Sequence, residues 1–280
     1  MSFGMISYEG LSEETFLLPA LEQPYLPGNK NNSPKMNIGL YRWTYQEGLK
    51  KKNSPPPQPG TMGYYSRHFN AIALQETFND LPDANKINSW YKSAGLNDFT
   101  FCPQLHKSIT HIGPVGLSKM GLTNDFITRV KELKEKLGTS FMELPESFNP
   151  AQQQTFIQFL QQLPTDFDVA IEIRNEEWFS KSAIRLSFVK QLNSLNKGLV
   201  ITDTPGKRAL VHMQLSTARA FVRFSCQGDH ELDLFRIEQW KKQLKSWFLQ
   251  GLQCCHFFVH VQNESAEEDF MNYVKYSLGF

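Results

Sequence analysis

Eight short strand-like runs punctuate this chain at a nearly even step. They begin near Ile38 (IGLYRW), Phe69 (FNAIALQ), Phe99 (FTFCPQL), Thr139 (TSFMEL), Asp168 (DVAIEIR), Gly198 (GLVITD), Ala220 (AFVRFS) and Cys255 (CHFFVHV). The seven steps from residue 38 to residue 255 average about 31 residues, the length of one strand, one helix and their loops. Each run is followed by a helical pattern or by room for one. The clearest patterns cover Asp83–Ser93, Asn124–Leu137, Pro150–Leu163, Lys181–Leu195, Leu234–Gln250 and Ala266–Leu278. Phe126, Val130, Leu133 and Leu137 recur at helical spacing in one, and Phe235, Trp240, Leu244 and Phe248 in another. Asn124 predicts an N-cap, and Gly138 predicts a stop before the next strand. Eight such units predict an α/β fold, a parallel (β/α)8 barrel of the TIM type with an outer ring of helices. A doubly wound sheet usually has five or six strands, which would leave at least two units over.

The rest of the chain is divided by this rhythm. Residues 1–37 carry Pro19, Pro24, Pro27, Pro34 and the polar run from Gly28 to Ser33, and predict an irregular lead packed on the barrel. Residues 38–280 predict one barrel domain. Lys50 to Gly60 reads as a solvated loop stiffened by prolines. Aromatic residues reach 13% of the chain, with 22 Phe, and are expected to fill the layer between strands and helices. The formal charge is +1, from 29 basic and 28 acidic side chains, so net charge makes no case for a nucleic-acid or membrane-surface partner. No run approaches the ~18 apolar residues of a membrane span. The start MSFGMISYEG lacks the basic and apolar parts of a secretory signal. Cys102, Cys226, Cys254 and Cys255 contain no Cys-x-x-Cys pair and read as buried free thiols. Together these features predict a cytoplasmic protein.

Side chains alternate along a strand, and the more apolar set should face the helices. Val169, Ile171 and Ile173 then point outward, and Ala170, Glu172 and Arg174 inward. The same rule sends Phe141 and Glu143 inward on the fourth strand, and Arg223 and Ser225 inward on the seventh. It places Gln104 and His106 inside on the third, Ala73 and Gln75 on the second, and Tyr41 and Trp43 on the face of Gly39 on the first. On the last, His256, Phe258, His260 and Gln262 share a face. Asp203 ends the sixth. Charged groups in a barrel interior are costly unless paired, and Glu143 and Glu172 would balance Arg174 and Arg223. Two outcomes are open: a closed ion-pair network across the barrel top, or a polar ligand site at the C-terminal face.

Local strings carry a resemblance. YYSRHFNAIALQETF (Tyr64–Phe78), the Ile109–Thr110–His111 step after Phe-x-Phe, FMELPESF (Phe141–Phe148) and AIEIRNEEWF (Ala170–Phe179) occur in order. Asp203–Thr204–Pro205, Phe221–Phe224, Trp240, Trp247 and the last strand Phe257–His260 complete the series. Over residues 38–280 this resembles the YecE-like family, a domain of unknown function, and the lead resembles an extension found in one of its subgroups. The resemblance implies a TIM-type barrel and implies little about activity. The chain also departs from the family pattern. Ala73 stands where the family has Glu, Gln75 where it has Asn, Asn79 for Tyr, Gln104 for Lys, His106 for Pro, Glu143 for Gln and Asn175 for His. Glu172, Arg174, Asp203, Arg223, His111 and Trp178 are kept. A Glu and a Lys are a natural acid/base pair to lose if catalysis is lost, so the expectation is a divergent member that keeps a polar pocket without its original chemistry.

Candidate chemistry follows from these positions. Glu172 and Arg174 are the candidate catalytic pair. Trp43, Gln75, Gln104, His111, Glu143, Asp203, Arg223 and His260 are the candidate substrate-binding groups. Arg174 and Arg223 suit a bidentate clamp on a phosphate or carboxylate, with Trp43 and Tyr41 stacking on a sugar or base. Two arginines in the same space disfavour a divalent cation, so no metal ligand is assigned. No P-loop, nucleophile elbow, dinucleotide fingerprint or His-Glu-x-x-His is present, and no cofactor is implied. The expected partner is a small polar or anionic molecule, with no membrane partner. A nucleic acid is disfavoured, Lys50–Lys52 being too short a basic run to hold one alone. Three functions are expected in turn: a hydrolase, lyase or isomerase acting on a small anionic, sugar-like substrate; a non-catalytic barrel binding a ligand or partner; or a nucleic-acid-binding barrel. Oligomeric state is left open.

Overall fold

The computed structural model describes residues 13–20, 25–30, 33–41, 61–95, 98–226, 230–261 and 264–279. Eight strands run parallel: β1 (Lys35–Leu40), β2 (Ala71–Leu74), β3 (Thr100–Pro103), β4 (Ser140–Leu144), β5 (Val169–Ile173), β6 (Gly198–Asp203), β7 (Arg219–Ser225) and β8 (Cys254–His260). Hydrogen bonding orders them β3-β2-β1-β8-β7-β6-β5-β4. The seam between β3 and β4 is held by two isolated parallel bridges, Phe101 with Leu137 and Gln104 with Phe141. The result is a nearly closed barrel of the expected type. The described helices are α1 (Met62–His68), α2 (Glu76–Asn79), α3 (Ala84–Ser93), α4 (Lys107–Thr110), α5 (Met120–Val130), α6 (Gln153–Gln161), α7 (Glu177–Ser180), α8 (Ser182–Ser194), α9 (His230–Leu249) and α10 (Glu264–Leu278).

Strand alternation builds two layers. Outward residues such as Ile72, Phe101, Val222 and Phe257 pack under one arc of helices, and Met142, Ile171 and Leu199 under the other. Inside, Ala71, Ala73 and Ala170 leave room for Phe141, Phe221 and Phe258. Phe221 lies 5.3 Å, centroid to centroid, from both other rings. The aromatic excess therefore plugs the barrel as well as filling the strand–helix layer.

Close approach decides the β1–β2 junction. A Cβ on Gly39 would collide with the Ala71 carbonyl. Tyr65 of α1 sits at the same place: its hydroxyl accepts from Leu40 N at 2.7 Å and donates to Ala71 O at 2.9 Å. A side-chain hydroxyl thus satisfies buried backbone groups where the ladder is short, only two residue pairs long.

Three features differ from the sequence expectations. First, α5 begins at Met120, so Asn124 lies inside the helix and caps nothing. The stripe facing the core starts a turn earlier, with Met120 packed on the core and Thr123 buried. The chain then tightens to a 3-10 run over Lys131–Lys136, with Lys134 at φ 52°. Second, β1 starts at Lys35, inside the stretch assigned to the lead, because Lys35, Met36 and Asn37 pair with Cys254, Cys255 and His256.

Third, the room after the sixth strand holds no α-helix. A 3-10 turn at Arg208–Leu210 and a non-helical run lead into β7. The lead covers this part of the wall instead. Phe16 is buried, its carbonyl accepts from Arg208 Nη2 at 3.3 Å, and the Arg208 guanidinium lies 5.5 Å from its ring centroid. Farther along, Tyr25 N donates to Leu215 O at 3.3 Å and Gly28 N to Gln250 O at 2.9 Å. Leu18 and Leu26 pack on the outer core.

The thiols of Cys102, Cys226 and Cys255 are buried and free, and that of Cys254 is half-buried and free. Among the described residues no helix is long and apolar enough to cross a membrane.

Candidate functional site

The inward residues at the C-terminal ends of β4, β5 and β7 meet in a four-charge cluster. Arg174 Nη2 lies 2.9 Å from Glu143 Oε2 and 3.0 Å from Glu172 Oε1. Arg223 Nη1 lies 2.8 Å from Glu143 Oε2 and also contacts Glu172 Oε2. Glu172 accepts a further bond from Thr202 Oγ1 at 2.8 Å. Arg223 Nε donates to Tyr41 Oη at 2.6 Å, with the guanidinium 4.5 Å from the Tyr41 ring centroid and 5.5 Å from that of Phe141. The formal charges cancel, as a low-dielectric interior demands.

Alternation explains why these residues converge. Glu143 and Glu172 are register partners on β4 and β5, and Thr202 and Arg223 are partners on β6 and β7. All four stand two residues nearer the C-terminal end than the plug residues Phe141, Ala170, Val200 and Phe221. The cluster is graded in exposure. The Glu172 side chain is 0% exposed, and Glu143, at 21%, is the most open of the four.

Electrostatics follow the packing. Burial pushes the Glu143 carboxyl up, but the Arg223 and Arg174 guanidiniums outweigh it and hold the pKa at about 2. Burial works against the Arg223 charge, and Glu172, Tyr41 and Glu143 more than reverse that, raising its pKa. Burial lifts the Tyr41 phenol well above its usual value against the pull of Arg223. Arg223 is therefore a fixed cation at neutral pH, and Glu143 a fixed anion.

The other candidates spread around this centre. Gln104 is buried at the β3–β4 seam, where its carbonyl accepts from Thr77 Oγ1 at 2.6 Å. His111 is exposed at the rim, with Thr110 Oγ1 2.7 Å from its Nδ1 and its ring edge-on to Phe78 at 5.0 Å. Burial lowers the His111 pKa, Glu143 opposes that, and Arg174 adds to it. His260 is exposed, edge-on to Tyr41 at 6.1 Å. Gln75 is exposed, at the residue preceding α2. His106 caps α4 by accepting from Ser108 N at 3.2 Å. Trp43, Gln262 and Lys50–Lys52 lie outside the described residues.

Asp203 stands apart from the cluster. It is fully buried on the outer side of β6, away from the barrel mouth. Its Oδ1 accepts from Arg208 Nη1 at 2.5 Å and Arg236 Nη2 at 2.7 Å, and its Oδ2 from Trp240 Nε1 at 2.7 Å. Burial pushes its carboxyl up, and Arg236 and Arg208 bring it down to about 2. All its strong partners are structural, so the geometry assigns it to the barrel wall and not to a substrate contact. Thr202 is the inward group of β6, and sequence reasoning missed it. The signal was present: Leu199 and Ile201 face the helices, so alternation puts Thr202 inside and Asp203 outside. Among the described residues no group of three or more His, Cys, Asp or Glu side chains converges as a metal-ligand set.

The comparisons with known proteins agree with this architecture. Two crystal structures of a DUF72 family protein (EF0366) from Enterococcus faecalis V583 superpose with TM-scores of 0.63 and 0.65, at 16% and 14% identity. They cover 88% and 89% of this chain, and 96% and 100% of theirs, and so share its fold. The UPF0759 protein YecE of Escherichia coli (strain K12) is 23% identical over 228 residues, covering 75% of this chain and 81% of YecE. The YecE of Escherichia coli O157:H7 matches to the same extent. The family model "Protein of unknown function DUF72" matches residues 37–277, and the chain, with its eight-stranded barrel, belongs to that family.

Proposed function

We propose that the barrel mouth binds a small anionic, sugar-like molecule, with Arg174 and Arg223 as the anion clamp. One observation carries this: both guanidiniums converge on the same oxygen, Glu143 Oε2, at 2.9 and 2.8 Å. Two forked donors aimed at one oxygen form an oxyanion cradle, and Glu143 occupies it as an internal anion. Glu143 is the most exposed member of the cluster, so it is the group that yields to a ligand. Glu172 anchors the arginines from below. Its Oε1 is taken by Arg174 and Thr202 and its Oε2 by Arg223, which suits an orienting role better than proton transfer.

Titration with ribose 5-phosphate, followed calorimetrically, tests the clamp. Glu143→Gln removes the competing anion and should tighten binding about tenfold; Arg174→Gln should weaken it by about the same factor. Affinity that is the same in all three proteins rejects the clamp.

A second function, turnover of the same class of molecule as a hydrolase, lyase or isomerase, is favoured by the two rim imidazoles. His111 and His260 are exposed beside the cluster, where an imidazole can serve acid–base work. A substrate screen in which His111→Gln abolishes turnover without weakening ribose 5-phosphate binding supports this reading. Binding with no turnover across the screen supports a barrel that binds and does not react, in keeping with Ala73 and Gln104 at the family's Glu and Lys positions.

A further inference from the structure

Charge is missing from one stretch of the outer wall. No Lys, Arg, Asp or Glu occurs from Ser147 to Thr165, and α6 is the one described α-helix without a charged side chain. Its inner face is ordinary: Phe156, Phe159 and Leu160 are buried in the core. Its outer face carries Gln154, Gln158 and Gln161, all exposed, at the spacing that stacks side chains on one face of a helix. A cavity of about 600 Å³ follows this helix to the end of α8. Gln153, Gln158 and Gln191 supply amides to it, over a floor that includes Ile157 and Leu195. Among the described residues no charged side chain lines it.

An exposed apolar patch adjoins the amide face. Ile112, Leu117 and Leu122 are 57%, 53% and 47% exposed. They stand on one segment, through the 3-10 turn Leu117–Lys119 into the first turn of α5. That segment lies against α6: a Cβ on Gly116 would stand 3.3 Å from Thr155 Cγ2. A single exposed leucine needs no account, but a cluster of three beside an uncharged face marks an interaction surface.

The chemistry of this surface selects its partner. The centres of protein interfaces are poor in charge, because a desolvated charge is costly unless paired. A glutamine amide carries a donor and an acceptor on one end, so it complements another glutamine amide. A two-fold axis sets a patch against its own copy. That arrangement repels a patch of one charge sign and suits a patch of amides and leucines. The partner that fits is therefore a second copy of this chain.

We propose that α6 and the Ile112–Leu122 segment form the two-fold interface of a homodimer. The outer glutamines of the two copies pair across the axis, and Leu117 and Leu122 are buried beside them. The proposal is independent of the anion clamp, since none of Glu143, Glu172, Arg174 and Arg223 belongs to this surface.

Sedimentation equilibrium of the full chain tests it. Between about 1 and about 200 μM the protein should show a monomer–dimer equilibrium with a dissociation constant of about 10 μM. The double variant Gln154→Glu with Gln158→Glu places like charges across the axis and should weaken the dimer at least about tenfold. Gln154→Lys with Gln158→Lys should do the same. Mixed in equal amounts, the acidic and basic variants should dimerise again, because opposite charges then meet across the axis. Leu117→Ser should weaken the dimer about fivefold or more. These side chains are exposed, so the far-UV circular dichroism of each variant should match that of the unaltered protein. A monomer throughout this range, a dimer indifferent to both charged variants, or a mixture that stays monomeric overturns the proposal.

Discussion

Arg236 Nη2 lies 2.7 Å from Asp203 Oδ1, and neither side chain is reached by solvent. This pair ties α9 to the end of β6. Arg236 also donates to Asp233 at 2.8 Å and to the Ser225 carbonyl at 3.0 Å, and stacks on Phe224 at 4.1 Å. Removing Asp203 takes the shared carboxylate from both Arg236 and Arg208 and leaves Arg236 with Asp233. Asp203→Ala is expected to cost about 3–5 kcal/mol. Chemical denaturation of the variant checks this, and a loss below ~1 kcal/mol would show that the network relaxes around the gap.

Acid stability should be set partly by Glu143 and Asp203. Both have folded-state pKa values of about 2, below the ordinary carboxylate value in the unfolded chain. Their contribution is fully present above the unfolded pKa, near 4, and is lost as pH falls through that window toward 2. Melting temperature should decline across this range. Glu143→Gln should show a shallower decline than the unaltered protein; an identical slope in both would remove Glu143 from the account.

The lead should be needed for stability, since it covers a wall that has no helix. Phe16 is its deepest anchor, at 1% exposed. Phe16→Ala is expected to cost about 3–5 kcal/mol. A melting temperature unchanged within error would mean the lead is dispensable packing.

Tyr65→Phe probes the β1–β2 junction. The loss of one hydroxyl leaves Leu40 N and Ala71 O without their partner, at an expected cost of about 1–3 kcal/mol. Amide exchange at Leu40 should speed up with it. An intact exchange rate would show that the strands close without the bridge.

Much of this architecture was legible before folding was considered. The helices that follow the second, third, fourth, fifth, seventh and eighth strands left helical patterns in the sequence, α1 of the first unit left none that was read, and the strands left an inner set distinguishable from an apolar outer one. That alternation was enough to bring Glu143, Glu172, Arg174 and Arg223 to one face, because the period of a strand is two and a strand ladder preserves parity. It was equally able to place Thr202 inward and Asp203 outward. Asp203 was drawn to the mouth only because its charge at a strand end suggested chemistry. Arg236, Arg208 and Trp240 are spread over 33 residues of loop and helix, and no local pattern marks them as the partners that bury it.

The sequence by itself determined the periodic part of this protein: eight strands, their inner and outer faces, and the neutral charge count at the mouth. Periodicity is local, so it survives without a partner. Tertiary structure alone decided which arginine meets which carboxylate, that Glu143 is the exposed member of the cluster, and that the lead stands in for the sixth helix. Those outcomes depend on contacts between segments far apart in the chain, where distance and burial select the partner and composition does not.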